Sequence, residues 1–252
     1  MNPVDRVAVV IPARNEERRL DQCLRALSAA RQELARVRPL VAVQVTVVLD
    51  RCTDRSAAAV LAHTGVRGVL SSAGMVGAAR RLGVRQALAE NMIHPDRTWI
   101  ACTDADSLVP SQWLLRHVEI ADRGADLLLG TVIPDPSELS DTAFDEWLEL
   151  NPQHDGHPYV HGANLGVRAT AYLDAGGFPS VSEHEDVLLA TAVRAISDRV
   201  VSSAGCPVLT SARVHGRTPG GFAGYLAALQ HRPGVPVALD RTDLLVAGGG
   251  QQ

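Results

Sequence analysis

Two periodicities run along this chain, and they predict its elements. Residues 7–11 (Val-Ala-Val-Val-Ile) are continuously apolar, as a parallel strand buried on both faces requires. Pro12 ends the run, and Asn15 then reads as a helix cap with Glu16 and Glu17 in the positive first turn. Leu20, Cys23, Leu24, Leu27, Leu34 and Val37 recur at helical spacing. Residues 43–49 repeat the buried-strand pattern, followed by a helix over 56–63 and a short strand over 67–70. A helix opens in the glycine-containing stretch 74–83 and runs to about residue 91; a strand over 99–104, a helix over 111–123 and a strand over 126–131 complete the first half. Strands alternating with helices of these lengths predict an α/β fold with a mainly parallel sheet covered on both faces.

The second half is less regular. Residues 134–140 read as a polar loop, 144–150 as a short helix, and 151–161 as a polar segment rich in His and Pro. A strand over 160–167, a short helix over 170–175, a longer helix over 187–196 and an edge strand over 207–212 follow. Periodicity stops at Arg232, and residues 248–252 (Gly-Gly-Gly-Gln-Gln) read as a frayed tail. With no internal repeat or linker, the expected organisation is one domain over residues 1–232 and a tail over 233–252.

Composition narrows the function classes. The chain has 252 residues, 46% hydrophobic and 21% charged, with a net charge of −4. These values suit a globular protein with a real core and speak against a nucleic-acid footprint. No apolar run reaches membrane-spanning length, and residues 1–6 lack the shape of a signal peptide. Cys23, Cys52, Cys102 and Cys206 are scattered and read as free thiols, so the expected location is the cytoplasm. All 24 basic residues are Arg. The absence of Lys excludes a phosphate loop that depends on Lys and a lysine Schiff base. It also counts against a haloacid-dehalogenase-like phosphatase, which shares the Asp-x-Asp pattern. The glycines at 74, 77 and 83 lack the Gly-x-Gly-x-x-Gly spacing of a dinucleotide fold.

The candidate chemistry begins at Asp104-Ala105-Asp106, where an apolar strand ends in two carboxylates. Two hard oxygen ligands suit Mg²⁺ or Mn²⁺ and leave positions for substrate phosphates. The same residues also suit a polar turn in which one Asp caps the helix near Ser111. Three further polar groups, at residues 12–16, 50–54 and 77–81, follow strands or open helices. In an open α/β sheet that edge is the ligand crevice. His154, His157 and His161 have a spacing compatible with zinc, although an acceptor pocket suits the segment better without Cys or carboxylate partners.

The order of these motifs resembles a family-2 glycosyltransferase of the GT-A fold. Ile-Pro-Ala-Arg-Asn-Glu at 11–16 is followed by Asp-x-Cys-Thr-Asp-x-Ser at 50–56, Gly-x-x-Arg at 77–80 and Asp-Ala-Asp at 104–106. Gly162-Ala163-Asn164 with Arg168, then Gly177-Phe178, then Glu185-Asp186 continue the match, which covers roughly residues 4–222. The resemblance implies transfer of a sugar from a nucleotide-diphosphate sugar to a hydroxyl of a small-molecule, lipid or glycan acceptor. Residues 1–107 would form the nucleotide-sugar half and 108–232 the acceptor half. It implies donor binding by Pro12, Ala13, Arg14, Glu16, Asp50, Gly77, Arg80, Asp104 and Arg217, with Arg80 at a diphosphate contact. It implies Mn²⁺ or Mg²⁺ on Asp106 and Asp104, with His215 as a third ligand. Asp186, or its neighbour Glu185, would be the general base, and His161, Gly162 and Asn164 would line the acceptor site.

Leu49 stands where many members of that family carry the first of two adjacent Asp, and Cys52 where Ser is common. The Gln-x-x-Arg-Trp signature of processive synthases is absent, which points to single-sugar addition. An acceptor deprotonated by that base and placed opposite the leaving group implies inversion, and a retaining relative of the same fold is the alternative. A sugar nucleotidyltransferase would need a Gly-rich first loop and a Lys. A non-catalytic nucleotide-sugar-binding protein would not need the full acidic set. The oligomeric state is not encoded in any of these patterns.

Overall fold

The computed structural model describes residues 2–89 and 94–213, together with Leu226. The described residues fall into two compact units. The larger takes the chain as far as Ile133 and then Gln153–Ser211; the smaller takes Pro134–Pro152 and residues from Ala212 onward.

In the larger unit, β1 (Arg6–Ala13), β2 (Ala42–Asp50), β3 (Val66–Ser71) and β4 (Thr98–Cys102) run parallel in the order β3-β2-β1-β4. β7 (Leu165–Arg168) runs antiparallel to β4, and β6 (Leu127–Pro134) runs antiparallel to β7, so β6 has the direction of β4. β8 (Val200–Thr210) follows β6, and the two-residue β5 (Ser107–Leu108) pairs antiparallel with β8 at the far edge. The helices are α1 (Leu20–Val37), α2 (Ser56–Leu61), α3 (Val76–Leu88), α4 (Trp113–Asp122), α6 (Ala169–Asp174) and α7 (Glu185–Arg194). Ala8 and Val10 share a core with Val84 and Ala87 of α3, Ile100, Leu129, Val167 and Leu189. The alternate residues Val7, Val9 and Ile11 are equally buried and project to the other face, where α1 packs against α4. The mainly parallel α/β sheet expected from the apolar runs is the one observed.

The smaller unit is described around α5 (Asp141–Leu150), where Ser140 Oγ accepts from Ala143 N at 3.2 Å as an N-cap. A 3₁₀ turn at Pro136–Glu138 is capped by Asp135, and Glu138 accepts from Ala212 N at 2.7 Å.

Several local expectations change. Asn15 does not cap a helix: it is left-handed, with φ 53°, and α1 starts at Leu20 behind Arg19. A short amide side chain tolerates that conformation, and Asn15 Oδ1 accepts from Thr53 N at 2.8 Å, so its bonding goes to the next loop. The expected strand over 160–167 shrinks to Leu165–Arg168 behind a 3₁₀ turn at Gly162–Asn164. The expected edge strand over 207–212 is the end of the longer β8, which lies inside the sheet because β5, too short to leave a pattern, covers it. The tail from Arg232 lies outside the described residues. Among the described residues no helix is long and apolar enough to cross a membrane.

The closeness of α3 to the sheet depends on Gly83, where a Cβ would lie 2.5 Å from Val10 Cγ1 and 3.0 Å from Val48 Cγ2. We expect Gly83→Val to lower stability by about 1–3 kcal/mol through overpacking, read as a lower urea midpoint at unchanged m-value. An unchanged midpoint would show that α3 has room to move off β1 and β2.

Candidate active site

The loops after β1 and β2 are stitched together by backbone donors. Glu16 N donates to Ser56 Oγ at 2.8 Å, Glu17 N to Asp54 Oδ2 at 2.9 Å, and Arg55 N to Glu17 Oε2 at 2.9 Å. Cys52 Sγ donates to the Ala13 carbonyl at 3.3 Å. Ala13 and Glu16 are buried here, while Pro12 and Arg14 are partly exposed. Asp50, at the end of β2, is 4% exposed, and its Oδ1 accepts from Ser71 Oγ at 2.8 Å and Gly74 N at 3.0 Å. Gly74 can take that place because its φ of +70° suits glycine.

Beyond β4 the chain turns at residues 105 and 106 before β5. Ala105 and Ser107 are buried, and Asp104 and Asp106 are partly exposed. The turn is held by its backbone: the Asp104 carbonyl accepts from Ser107 N at 3.2 Å and Cys23 Sγ at 3.3 Å, and the Asp106 carbonyl from Ser211 N at 3.3 Å. Burial, with Asp106 and Asp104 nearby, pushes the Cys23 thiol well above its ordinary range. Neither aspartate caps α4, whose N-cap residue is Gln112 without a side-chain bond.

Arg80, on α3, joins these loops to the second half of the chain. Its side chain is 2% exposed, and each nitrogen faces a protein oxygen. Nη2 lies 2.6 Å from Asp104 Oδ1, Nε 2.9 Å from Glu185 Oε1, and Nη1 donates to the Gly162 carbonyl at 2.7 Å. Burial opposes the charge, but Asp104 and Glu185 outweigh it and hold the guanidinium pKa above its usual range. Burial pushes the Glu185 carboxyl upward while Arg80 pulls it down. Position 162 is glycine for a steric reason: a Cβ there would lie 2.5 Å from Arg80 Nη2. Gly162 N donates to Asp186 Oδ2 at 2.6 Å, and Asp186 Oδ1 accepts from Val187 N at 2.8 Å. His184, at the start of α7, is left-handed with φ 60°, a strained choice for a non-glycine residue beside these carboxylates. Gly77, read from sequence as a donor contact, gives its N–H to the Val181 carbonyl at 3.1 Å, and a Cβ there would strike the Pro179 carbonyl at 2.0 Å.

Asn164 is bonded inward. Its Oδ1 accepts from Trp113 Nε1 at 2.9 Å, and its Nδ2 donates to the carbonyls of Thr131 at 2.8 Å and Cys206 at 3.0 Å. His117 Nε2 lies 3.4 Å from the same Oδ1, and Trp99 Nε1 donates to His117 Nδ1 at 3.0 Å. Indole only donates, so His117 Nδ1 must accept and its proton sits on Nε2. Sequence reasoning missed this network; the only sequence signals were two Trp and a His on otherwise apolar element faces.

His161 is partly buried, and burial, opposed by Asp186, lowers its pKa to about 4. Its ring lies 6.1 Å from Tyr159, which stacks on His157 at 5.4 Å. Tyr159 was also missed, although His-x-Tyr-x-His is the spacing that aligns rings on one side of an extended segment. Among the described residues no group of three or more His, Cys, Asp or Glu is set to hold a metal ion, the 154/157/161 histidines included. His215 and Arg217 lie outside the described residues.

The structure therefore brings Arg80, Asp104, Gly162, Glu185 and Asp186 together. It gathers residues 13–17 with 52–56 in a neighbouring loop pair, and it turns Gly77 and Asn164 toward packing. Residues 8–163, more than half of the chain, match the model of glycosyl transferase family 2. The chain belongs to that family. A relative from Pseudomonas aeruginosa, undecaprenyl-phosphate 4-deoxy-4-formamido-L-arabinose transferase, is 32% identical over 145 residues, which make up 58% of this chain and 40% of the relative. The chain thus spans less than half the length of that relative. Among solved structures, Staphylococcus aureus TarS (residues 1–349) superposes with a TM-score of 0.61 at 16% identity, covering 82% of this chain and 60% of that one. The Pyrobaculum calidifontis mannosyltransferase PcManGT, in complex with GDP-Man and Mn²⁺, superposes with a TM-score of 0.58 at 20% identity, covering 86% and 59%. These superpositions establish the GT-A fold for the family 2 chain.

The neutral His117 makes a pH prediction. Burial lowers its pKa to about 4, whereas an unfolded His titrates near 6.5. Between those values the unfolded chain binds more protons, so stability is full above about pH 6.5 and falls as pH drops toward 4, by roughly 3 kcal/mol from this residue. Urea unfolding at a series of pH values should show that slope in the wild type and a slope smaller by about one proton in His117→Gln.

Proposed function

We propose that this chain transfers a single sugar from a nucleotide-diphosphate sugar to an acceptor oxygen, with inversion, using Asp186 as general base. The observation that carries the reading is the convergence, at one edge of a family 2 sheet, of a partly exposed Asp104/Asp106 pair and of Asp186, bridged by Arg80 and Gly162. In the reaction the bond from the anomeric carbon to the diphosphate breaks, the acceptor oxygen bonds that carbon, and its proton passes to Asp186. The diphosphate leaves with the electron pair.

Two hard carboxylate donors on the exposed side of one loop fit Mn²⁺ or Mg²⁺, as a partial shell that phosphate and water would complete. Such a metal supplies charge neutralisation for the departing diphosphate. The remaining work belongs to the protein. Asp50, anchored through Oδ1, together with the buried Glu16, suits the nucleoside. The Gly162 N–H orients the Asp186 carboxylate. Glu185 is a poor base because it is buried against Arg80, which leaves Asp186, partly exposed at the start of α7, as the group that can meet an acceptor. The Tyr159 and His161 rings suit the acceptor side, given the pull of Asp186 on His161. The P. aeruginosa relative is named for a polyprenyl phosphate, so a lipid phosphate, whose ionised oxygen would attack without a base, is one acceptor to try alongside hydroxyl acceptors.

A thermal-shift series with UDP, GDP, ADP and dTDP, each with and without Mn²⁺, tests the donor half. One nucleotide should raise the melting temperature by roughly 5–10 °C at a hundred times its Kd, only with metal, and not in Asp106→Ala. Turnover of the matching nucleotide sugar should fall about 100-fold or more in Asp186→Asn. If no nucleotide shifts the wild type, the transferase reading is wrong.

A further inference from the structure

We propose that Arg80 is a positioning residue that couples the donor-side carboxylate to the acceptor-side base through the Gly162 segment. The inference rests on the transferase reading above, and goes beyond it by taking Arg80 away from the diphosphate. A donor contact needs a guanidinium that faces the crevice. Here the side chain is 2% exposed, its three nitrogens face Asp104, Glu185 and the Gly162 carbonyl, and the Phe178 ring lies 5.9 Å from its Cζ.

The three oxygens come from three separate parts of the site: the loop after β4, the 3₁₀ turn before β7, and the first residue of α7. A planar fork can bond Asp104 and the Gly162 carbonyl in fixed directions while its charge faces Glu185 at 2.9 Å, and an ammonium cannot. The same residue that accepts no Cβ because of Arg80 gives its N–H to Asp186. Arg80 therefore fixes where Gly162 sits, and Gly162 fixes where the Asp186 oxygen sits. Arg80 also holds Glu185 in a buried pair, away from the proton-accepting role. A shift of Asp104 is passed to Asp186 through three hydrogen bonds, of 2.6, 2.7 and 2.6 Å, without substrate touching Arg80.

The test uses the whole chain as wild type, Arg80→Lys, Arg80→Ala and Gly162→Ala, with folding checked by circular dichroism and melting temperature. The readouts are nucleotide binding by thermal shift, kcat and KM for hydrolysis of the sugar donor whose nucleotide binds, and the Gly162 amide in a ¹H–¹⁵N spectrum. In Arg80→Lys we expect kcat to fall about 100-fold, the scale of a small misplacement of a reacting group. Its KM and nucleotide binding should be unchanged, and its Gly162 amide resonance displaced upfield as the bond to Asp186 loosens. Guanidinium ion at millimolar concentration should restore part of the activity of Arg80→Ala, and Gly162→Ala should reproduce the loss with Arg80 intact. If Arg80→Ala does not fold, the lysine and alanine-162 variants carry the test. A raised donor KM with kcat intact in Arg80→Lys would make Arg80 a donor contact. An unmoved Gly162 amide with wild-type kinetics would make it a structural ion pair only. Either result overturns the coupling while the transferase reading stands, whereas a wild type that binds no nucleotide and turns over no donor removes both.

Discussion

A guanidinium buried to 2% exposure can stay charged only if its charge is met by carboxylates close by. That requirement at Arg80 shapes much of the larger unit. It calls for two carboxylates, Asp104 and Glu185, that arrive from opposite halves of the chain. It calls for a carbonyl at 162 with no side chain above it, hence glycine. It needs α3 to lie close to β1 and β2, which Gly83 allows, and to dock its first turn on residues 179–181, which Gly77 allows. Three glycines that look alike in sequence thus serve one buried charge for three different steric reasons.

The 3₁₀ turn at Gly162–Asn164 is held from its other end by a neutral network. Trp99, His117, Trp113 and Asn164 form a directional chain of donors and acceptors that ends on the Thr131 and Cys206 carbonyls. The pairing of a charged clamp at Gly162 and a neutral clamp at Asn164 has a physical logic. The charged clamp is directional toward the carboxylates and sits at the crevice, where charge is useful. The neutral clamp lies deeper, where an unpaired charge would cost most. Gly130 belongs to this second clamp, since a Cβ there would lie 2.3 Å from the Asn164 amide.

The strands of the parallel half were legible because burial on both faces leaves an unbroken apolar run that nothing else in a short segment imitates. β5, the first half of β8 and the turn at 162–164 were not, because two-residue pairings and tertiary bonds leave no period in the sequence. Asn15 shows how a local rule fails: its side chain suits a helix cap, but the partner that won lies 38 residues away at Thr53. In the site, the acidic motifs were legible as motifs, and their order pointed to the family that residues 8–163 match. What each residue touches was not legible. Arg80 read as a diphosphate contact, and its burial against Asp104, Glu185 and the Gly162 carbonyl leaves no mark in the sequence. Asn164 read as part of an acceptor pocket because the two indoles and the imidazole that bind it are far away in the chain.

The lack of lysine takes on structural meaning at Arg80. A chain with only arginine as its cation has, at every basic position, a planar donor set that can bind several acceptors at once. On the surface that difference changes little, as in the exposed pair Arg36–Glu33. Under the carboxylates it decides the architecture, because one arginine holds three separate segments in register. The charge count follows from the same fork. Arg80 carries one positive charge between Asp104 and Glu185, so the pair and its cation together remain negative, with Asp106 and Asp186 adding to that sign. A cluster of that sign repels a bare diphosphate, so the fork that joins the three segments is not itself an anion site.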